Sequence, residues 1–196
     1  MIGADKRDSI LKSAVQAFGR LGFRKVSIDE IARNAGVAKG TVYLACDSKE
    51  DLYYQAVLRE VREFLAACSR NVDPSAPADE LLMQCTREGL SLMVRHPLVR
   101  DLLAWRMDVL PDYRERFEQV REMTVLAIAE ILRIGVRQGV FRDDLEIEGT
   151  AALLRDIQAS GYLFYVMRGE SGGDYDYYVE RTMTGLRLLL DGLRKR

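Results

Sequence analysis

The chain of 196 residues has one histidine, three cysteines, four prolines and a single tryptophan, and each scarcity removes a class of function. His96 with cysteines scattered at 46, 68 and 85 supplies neither a four-ligand zinc cluster nor the Glu-x-x-His pairs of a di-metal bundle. No metal and no cofactor is therefore expected. Ser-His-Asp or Cys-His catalysis would draw on the same histidine. It precedes Pro97 with no motif around it, and no glycine-rich phosphate loop is present, so no catalytic residue is assigned. His96 reads instead as a capping or surface group at a helix break. An odd number of cysteines without CxxC spacing suits free thiols in a reducing cytoplasm. The chain has no run of 18 or more apolar residues, and MIGADKRDS at its start lacks the apolar stretch of a signal peptide. A soluble, cytoplasmic protein with no membrane partner is expected.

An excess of one charge is lacking as well. The net charge is −1. Residues 1–52 carry 9 Lys and Arg against 7 Asp and Glu, a net of +2, and the remainder carries 20 against 23, a net of −3. Two positive charges make no strong field, so any nucleic-acid binding rests on positioned groups and not on a basic patch.

What is present is helical patterning, densest in residues 27–52, SIDEIARNAGVAKGTVYLACDSKEDL. Ile28, Ile31 and Ala32 form an apolar stripe, Ser27 with Glu30 spells a capping box, and Val26 with Ile31 a hydrophobic staple. Gly36 is placed to turn left-handed where that helix stops. A second short helix starts at about Lys39, with Val42 and Tyr43 on its inner side. Small Ala32, turning Gly36 and branched Val42 are the spacing of a helix-turn-helix, whose second helix offers its N-terminal end to a DNA major groove.

Upstream, residues 5–20 read as a helix with Ile10, Leu11, Ala14, Val15 and Phe18 on one face and Gly22 as terminator. A fourth helix is expected from Ser48 to Arg70. Tyr54, Val57, Leu58, Val61, Phe64, Leu65 and Cys68 make its buried face, and Arg59, Glu60, Arg62 and Glu63 its wet side. NVDPSAPA at 71–78 breaks the chain. Further helices follow at 78–95, 97–109, 111–138, 147–168 and 175–193, with no strand. The fold class is all-α, with about nine helices.

Arg7, Ile10-Leu11, Ala14, Phe18, Gly22-Phe23, Val26-Ser27, Ile31-Ala32, Ala35-Gly36-Val37, Lys39-Gly40-Thr41-Val42-Tyr43, Ser48-Lys49-Glu50 and Leu52 fall in one register with the pattern of the TetR family of bacterial transcription regulators. The chain resembles that family over its first quarter. The resemblance implies a helix-turn-helix DNA-binding domain at 1–47 and a helical ligand-binding and dimerisation domain at 48–196. It implies a dimeric repressor released from a palindromic operator in double-stranded DNA by a small-molecule effector. The competing reading is a helical-bundle binding protein or enzyme that has lost DNA binding. Ala45 and Cys46 alone encourage it, because the family has Tyr or His at the first position and Phe at the second.

By the same resemblance Lys39, Gly40 and Thr41 occupy the exposed start of the recognition helix, where phosphates and base edges are touched. Tyr43 brings a hydroxyl to a phosphate, or else packs in the core. Lys49 and Ser27 stand at helix starts that hold phosphates. Leu44 and Val37 are candidates for thymine methyl groups, and Lys6 and Arg7 for a short arm to the DNA backbone. The ligand set is Met83, Met93, Trp105, Met107, Phe117, Met123, Tyr162 and Tyr165. Methionine and aromatic side chains suit an adaptable apolar pocket, and the same stripe also suits an ordinary core. Homodimer contacts are expected from Ala151, Ala152, Leu154, Ala159, Gly161 and Leu163, and from Tyr178, Met183, Leu186, Leu189 and Leu190.

Overall fold

The computed structural model describes residues 3–70, 72–103, 113–167 and 175–195, without the side chains of residues 103, 162 and 164–167. The described residues form α1 (Ala4–Lys25), α2 (Ile28–Asn34), α3 (Lys39–Tyr43), α4 (Lys49–Cys68), α5 (Ala78–Met93), α6 (Pro97–Leu103), α7 (Arg114–Gln138), α8 (Ile147–Met167) and α9 (Tyr175–Leu193). The only extended pairing among them is an isolated bridge between Phe141 and Arg194. Gly22, at φ 74° and ψ 163°, ends the first helical run as its pattern predicts, and a short second run within α1 continues to Lys25. The sixth helix is described only to Leu103, and Pro111, the expected start of the seventh, lies outside the described residues.

By packing, the chain divides into residues 1–63 with 95–120, and residues 64–94 with 121–196. In the first unit Ile10, Ala14 and Phe18 of α1, Ile31 of α2 and Leu52, Val57 and Val61 of α4 are buried. Phe18 meets Tyr53 edge to face at 4.9 Å, and Tyr53 meets Phe117 at 6.0 Å. Such aromatic pairs add about 0.5–1.5 kcal/mol to the area they bury. Pro97 opens α6 against Gly19 of α1, where an added Cβ would lie 2.6 Å from the proline ring.

Glu60 corrects the expected wet side of α4. It is 2% exposed, and it accepts hydrogen bonds from the backbone N–H groups of Leu98 at 2.7 Å and Val99 at 2.9 Å. It caps α6 from another helix, satisfying two of the donors that a helix start leaves open. Arg59, on the same stretch, is half-buried and bonds Asp8 of α1 at 2.6 Å and Glu63 at 2.8 Å.

In the second unit Leu82, Val125, Ala129, Leu132, Phe141, Leu154, Leu186 and Leu190 share one core. Gln138 accepts from Ala78 N–H at 2.9 Å and so caps α5, while Arg194 closes on Asp79 at 2.7 and 3.1 Å. Six residues read as dimer contacts, Ala151, Leu154, Tyr178, Met183, Leu186 and Leu190, are buried within their own chain. Gly161 is another correction. It is buried where α8 crosses α9, and a Cβ there would lie 2.0 Å from Thr182 Oγ1. A Gly161→Ala substitution should therefore destabilise the protein by about 1–3 kcal/mol through overpacking, seen as a lower urea midpoint at unchanged slope. An unchanged midpoint would show that the crossing is looser than described.

Candidate nucleic-acid interface

α2 starts as its sequence predicts on one side only. Ser27 Oγ accepts from Glu30 N–H at 3.1 Å, and Val26 and Ile31 are both buried as a staple requires. The Glu30 carboxylate does not return to Ser27. It accepts instead from Arg20 at 3.3 Å, so half of the capping box is diverted to α1. Gly36 takes φ 67°, and Val37 N–H donates to Ala32 O at 3.0 Å, closing the turn into α3.

α3 has five residues and one buried side chain, Val42. Tyr43, expected on the inner side, is 49% exposed, and Leu44 is 70% exposed. Ala38, at the N-cap, makes no side-chain hydrogen bond, and Lys39 and Gly40 stand in solvent with open space around Gly40 Cα. Thr41 is half-buried beside them, as is Val37. The helix thus turns its bare N-terminal N–H groups, a cation, a phenol and an apolar side chain to one exposed face. Backbone phosphates suit the first three and a thymine methyl the fourth.

Two of the expected cations already have partners. Lys39 Nζ bonds Asp29 at 2.9 Å, and that carboxylate raises the lysine pKa. Lys49 Nζ stands 4.5 Å above the Phe23 ring at the start of α4. Both are held near the turn without being buried, the condition for exchanging a protein partner for a phosphate. Arg7 is turned elsewhere. Its guanidinium donates to Gln55 on α4 at 3.0 Å, so it ties α1 to α4, contrary to the expected DNA arm.

The two departures from the family pattern are repacked. Ala45 and Cys46 are buried, the Cys46 thiol donates to Val42 O at 3.4 Å, and Gln55 donates to Ala45 O at 3.3 Å and to Asp51 at 2.7 Å. Burial pushes the Cys46 thiol up to about 11 and Cys68 to about 12, and raises Cys85 as well. Thiols held protonated in this way are weak nucleophiles.

Four of the expected ligand residues, Phe117, Met83, Met93 and Met123, have described side chains. Phe117 is buried in the aromatic cluster of the first unit, with Tyr53, Tyr54 and Tyr113. Met93 is buried and Met123 half-buried in the second unit. Met83 lines a groove of about 530 Å³ with Asp79, Glu80, Gln84, Arg187, Leu190, Asp191 and Arg194, most of them charged. Trp105 and Met107 and the side chains of Tyr162 and Tyr165 lie outside the described residues. Among the described residues no group of three His, Cys, Asp or Glu is placed to hold a metal ion.

The nine described helices, with a short exposed helix following the left-handed turn at Gly36, have the architecture of a helix-turn-helix protein. Comparison with known proteins narrows the class. Residues 10–56 match the model for bacterial regulatory proteins of the tetR family. Over 160 residues the chain is 28% identical to the transcriptional repressor KstR2 of Mycolicibacterium smegmatis, covering 78% of this chain and 76% of that one. It is 25% identical over 140 residues to the fatty acid metabolism regulator protein of Bacillus subtilis, covering 70% and 72%. The crystal structure of FadR from Bacillus subtilis in complex with stearoyl-CoA superimposes with a TM-score of 0.76 at 20% identity, covering 95% of this chain and 99% of that one, and so shares the fold. Residues 10–56 thus carry the DNA-binding domain of the TetR family, and the chain as a whole resembles that family's transcription regulators.

Two predictions follow from this geometry. Lys39→Ala should lower the slope of log affinity against log salt by about one, the signature of one lost phosphate contact. Asp29→Asn should strengthen binding by freeing that lysine, and fluorescence anisotropy at several salt concentrations reads both. The second concerns Glu60, which burial pushes from its ordinary 4.5 up to about 7 against the two N–H bonds, with Glu63 and Asp101 adding repulsion. The folded state then binds more protons than the unfolded chain between those two values, so Glu60 makes stability fall as pH rises from about 4.5 to about 7. Glu60→Gln keeps an acceptor and cannot titrate. Its stability relative to the unsubstituted protein should rise across that window and level off above it, and urea unfolding from pH 5 to pH 8 checks the sign.

Proposed function

We propose that the chain acts as a two-fold dimeric repressor in the cytoplasm, binding a palindromic operator and leaving it when a small molecule with an apolar body binds. The exposed face of α3 carries the DNA half of this reading: Val42 alone is used for packing, and Lys39, Gly40, Thr41, Tyr43 and Leu44 remain for the groove. Ser27 and Lys49 flank it as phosphate contacts. Two such helices must enter successive major grooves about 34–36 Å apart, which a dimer supplies and a monomer does not.

Support for the dimer comes from α8 and α9. Leu153 and Leu163 on α8 and Tyr177 and Leu188 on α9 are exposed, while most of their apolar neighbours are buried. Tyr177 and Leu188 are eleven residues apart, about three helical turns, and so lie along one line of α9. A paired copy covers this apolar surface. No helix among the described residues is long and apolar enough to cross a membrane.

For the effector, α4 is one helix that contributes Lys49–Glu63 to the first unit and Phe64–Cys68 to the second. A ligand that prefers one setting of this helix shifts the population of DNA-competent dimers. Coupling of ~1–3 kcal/mol changes operator affinity roughly 5- to 150-fold. The likeness to the fatty acid metabolism regulator of Bacillus subtilis and to FadR in complex with stearoyl-CoA supports an acyl or other apolar ligand.

The test pairs assembly with operator binding. A palindrome selected from the DNA upstream of the gene should bind tightly and lose affinity steeply with salt. Leu188→Glu should convert the sedimenting species from dimer to monomer and reduce operator affinity at least tenfold, since each half-site then binds alone. A monomeric L188E protein with undiminished operator affinity would sink the dimer reading.

A further inference from the structure

Arg155 is the most unusual charge in the second unit. Its side chain, on α8, is 13% exposed, and Nη2 pairs with the largely exposed carboxylate of Asp156 at 3.0 Å. Nε and Nη1 are buried and have no hydrogen-bond partner. A buried glutamate such as Glu60 can relieve its burial by taking up a proton. A guanidinium stays charged at every accessible pH. Buried donors without acceptors are rare in folded proteins because each loses its water and gains nothing.

The neighbours on α8 explain why the chain itself does not answer these donors. Ala151 is fully buried one turn before Arg155, and Ala152 and Ala159 flank it at helical spacing, so none of the three offers a side-chain acceptor. Gln158, almost one turn on, donates to Thr86 Oγ1 of α5 at 2.7 Å, and Thr86 in turn donates to Leu82 O at 2.7 Å. That stretch of α8 therefore faces the interior of its unit, toward α5, with its amide and hydroxyl already committed. At helical spacing along α8, then, Arg155 finds no side chain free to accept from Nε and Nη1.

We propose that Arg155 is the anion-reading residue of the effector site, and that the effector carries a carboxylate or phosphate on its apolar body whose oxygens accept from Nε and Nη1. This rests on the reading of the chain as a repressor with a small-molecule effector. An oxyanion meets both requirements of the site at once: it supplies the missing acceptors and balances a charge that Asp156, mostly in solvent, offsets only in part. A neutral carbonyl or a water supplies the first alone.

The experiment uses the full-length protein and three matched series with chains of 8 to 18 carbons: free fatty acids, their coenzyme A thioesters and their methyl esters. Calorimetry and thermal shift read binding, and release of the selected operator reads function. At least one acid or thioester should bind the unsubstituted protein, and Arg155→Met should weaken it tenfold or more, with Arg155→Lys between them. The methyl esters should bind weakly and respond little to either substitution. Preference for acids over thioesters, or the reverse, tells a carboxylate source from a phosphate source. Without ligand, R155M should melt at or above the unsubstituted protein, since an apolar side chain of similar length removes two unanswered donors. If R155M and R155K both melt well below it, Arg155 is a structural group and the proposal fails. It fails also if every acid and thioester leaves the protein unbound, or if methyl esters bind as tightly as acids. Arg155-dependent binding that leaves operator affinity unmoved keeps the anion site and removes the effector reading. A compound that releases operator equally from R155M and the unsubstituted protein, each against its own ligand-free affinity, does the opposite.

Discussion

A helix of five residues cannot hold its own shape in water, because nucleating a turn costs more than so few hydrogen bonds return. That constraint shapes the whole DNA-facing region. α3 exists because Val42 is buried and because Gly36 brings the chain back at φ 67°. Its exit is pinned by the Cys46 thiol on Val42 O and by Gln55 on Ala45 O. α2 is anchored in turn by the Ser27 cap and by Ile28, Ile31 and Ala32, all buried. The same shortness makes the helix useful. With one position spent on packing, almost every other side chain is free to meet a groove.

The buried charges divide into two kinds. Glu60 lies at the start of α6, where two N–H groups and the positive end of the helix meet it, so its cost is partly offset and it fixes where α6 begins. Asp79 is of the same kind, enclosed by the Arg194 fork. Arg155 differs, since two of its nitrogens are enclosed with no acceptor. Of the side chains described, Arg155 is the one with two such nitrogens. A charge kept inside at a cost to stability is the ordinary mark of a group that meets something other than its own chain.

Helix positions were legible in the sequence wherever an apolar period ran between clear stops, as in α9 between Tyr175 and Leu193 or in α4 after Ser48. The turn was legible because Gly36 and Val42 have local duties that residue type reveals. Tertiary partners were not. Glu60 stands in a charged run, Arg59 to Glu63, and nothing in that pattern tells a solvated carboxylate from one that reaches another helix. Glu30 has the right spacing for a capping box, yet Arg20 claims its carboxylate. Tyr43 and Val42 are adjacent on a helix too short for a period to separate inside from outside. Ala151, Leu154 and Gly161 were visible as small and apolar, but composition does not say whether such a face meets its own chain or a second copy. The same limit holds for the ligand residues: Phe117 and Met83 are both apolar, and one belongs to an aromatic cluster while the other edges a groove lined mostly by charged side chains. Arg155 gave no signal, because an arginine beside an aspartate on a helix reads as a surface pair.

A regulator must also let go, and the weak electrostatics of this chain bear on that. Lys39 and Lys49 already have protein partners, an exposed carboxylate and an aromatic face. A phosphate replaces those contacts rather than adding to an empty site, so each cation contributes only the difference. With a net charge of only +2 over residues 1–52, the non-specific term that would hold the protein on any DNA is small. Specific binding then depends on all the α3 contacts being in register together. Discrimination between operator and other DNA is worth about 4–10 kcal/mol in such complexes. An effector that couples by ~1–3 kcal/mol removes part of that margin. A strongly basic head would need far more coupling to reach the same release, which makes the sparse charge of this interface part of how it switches.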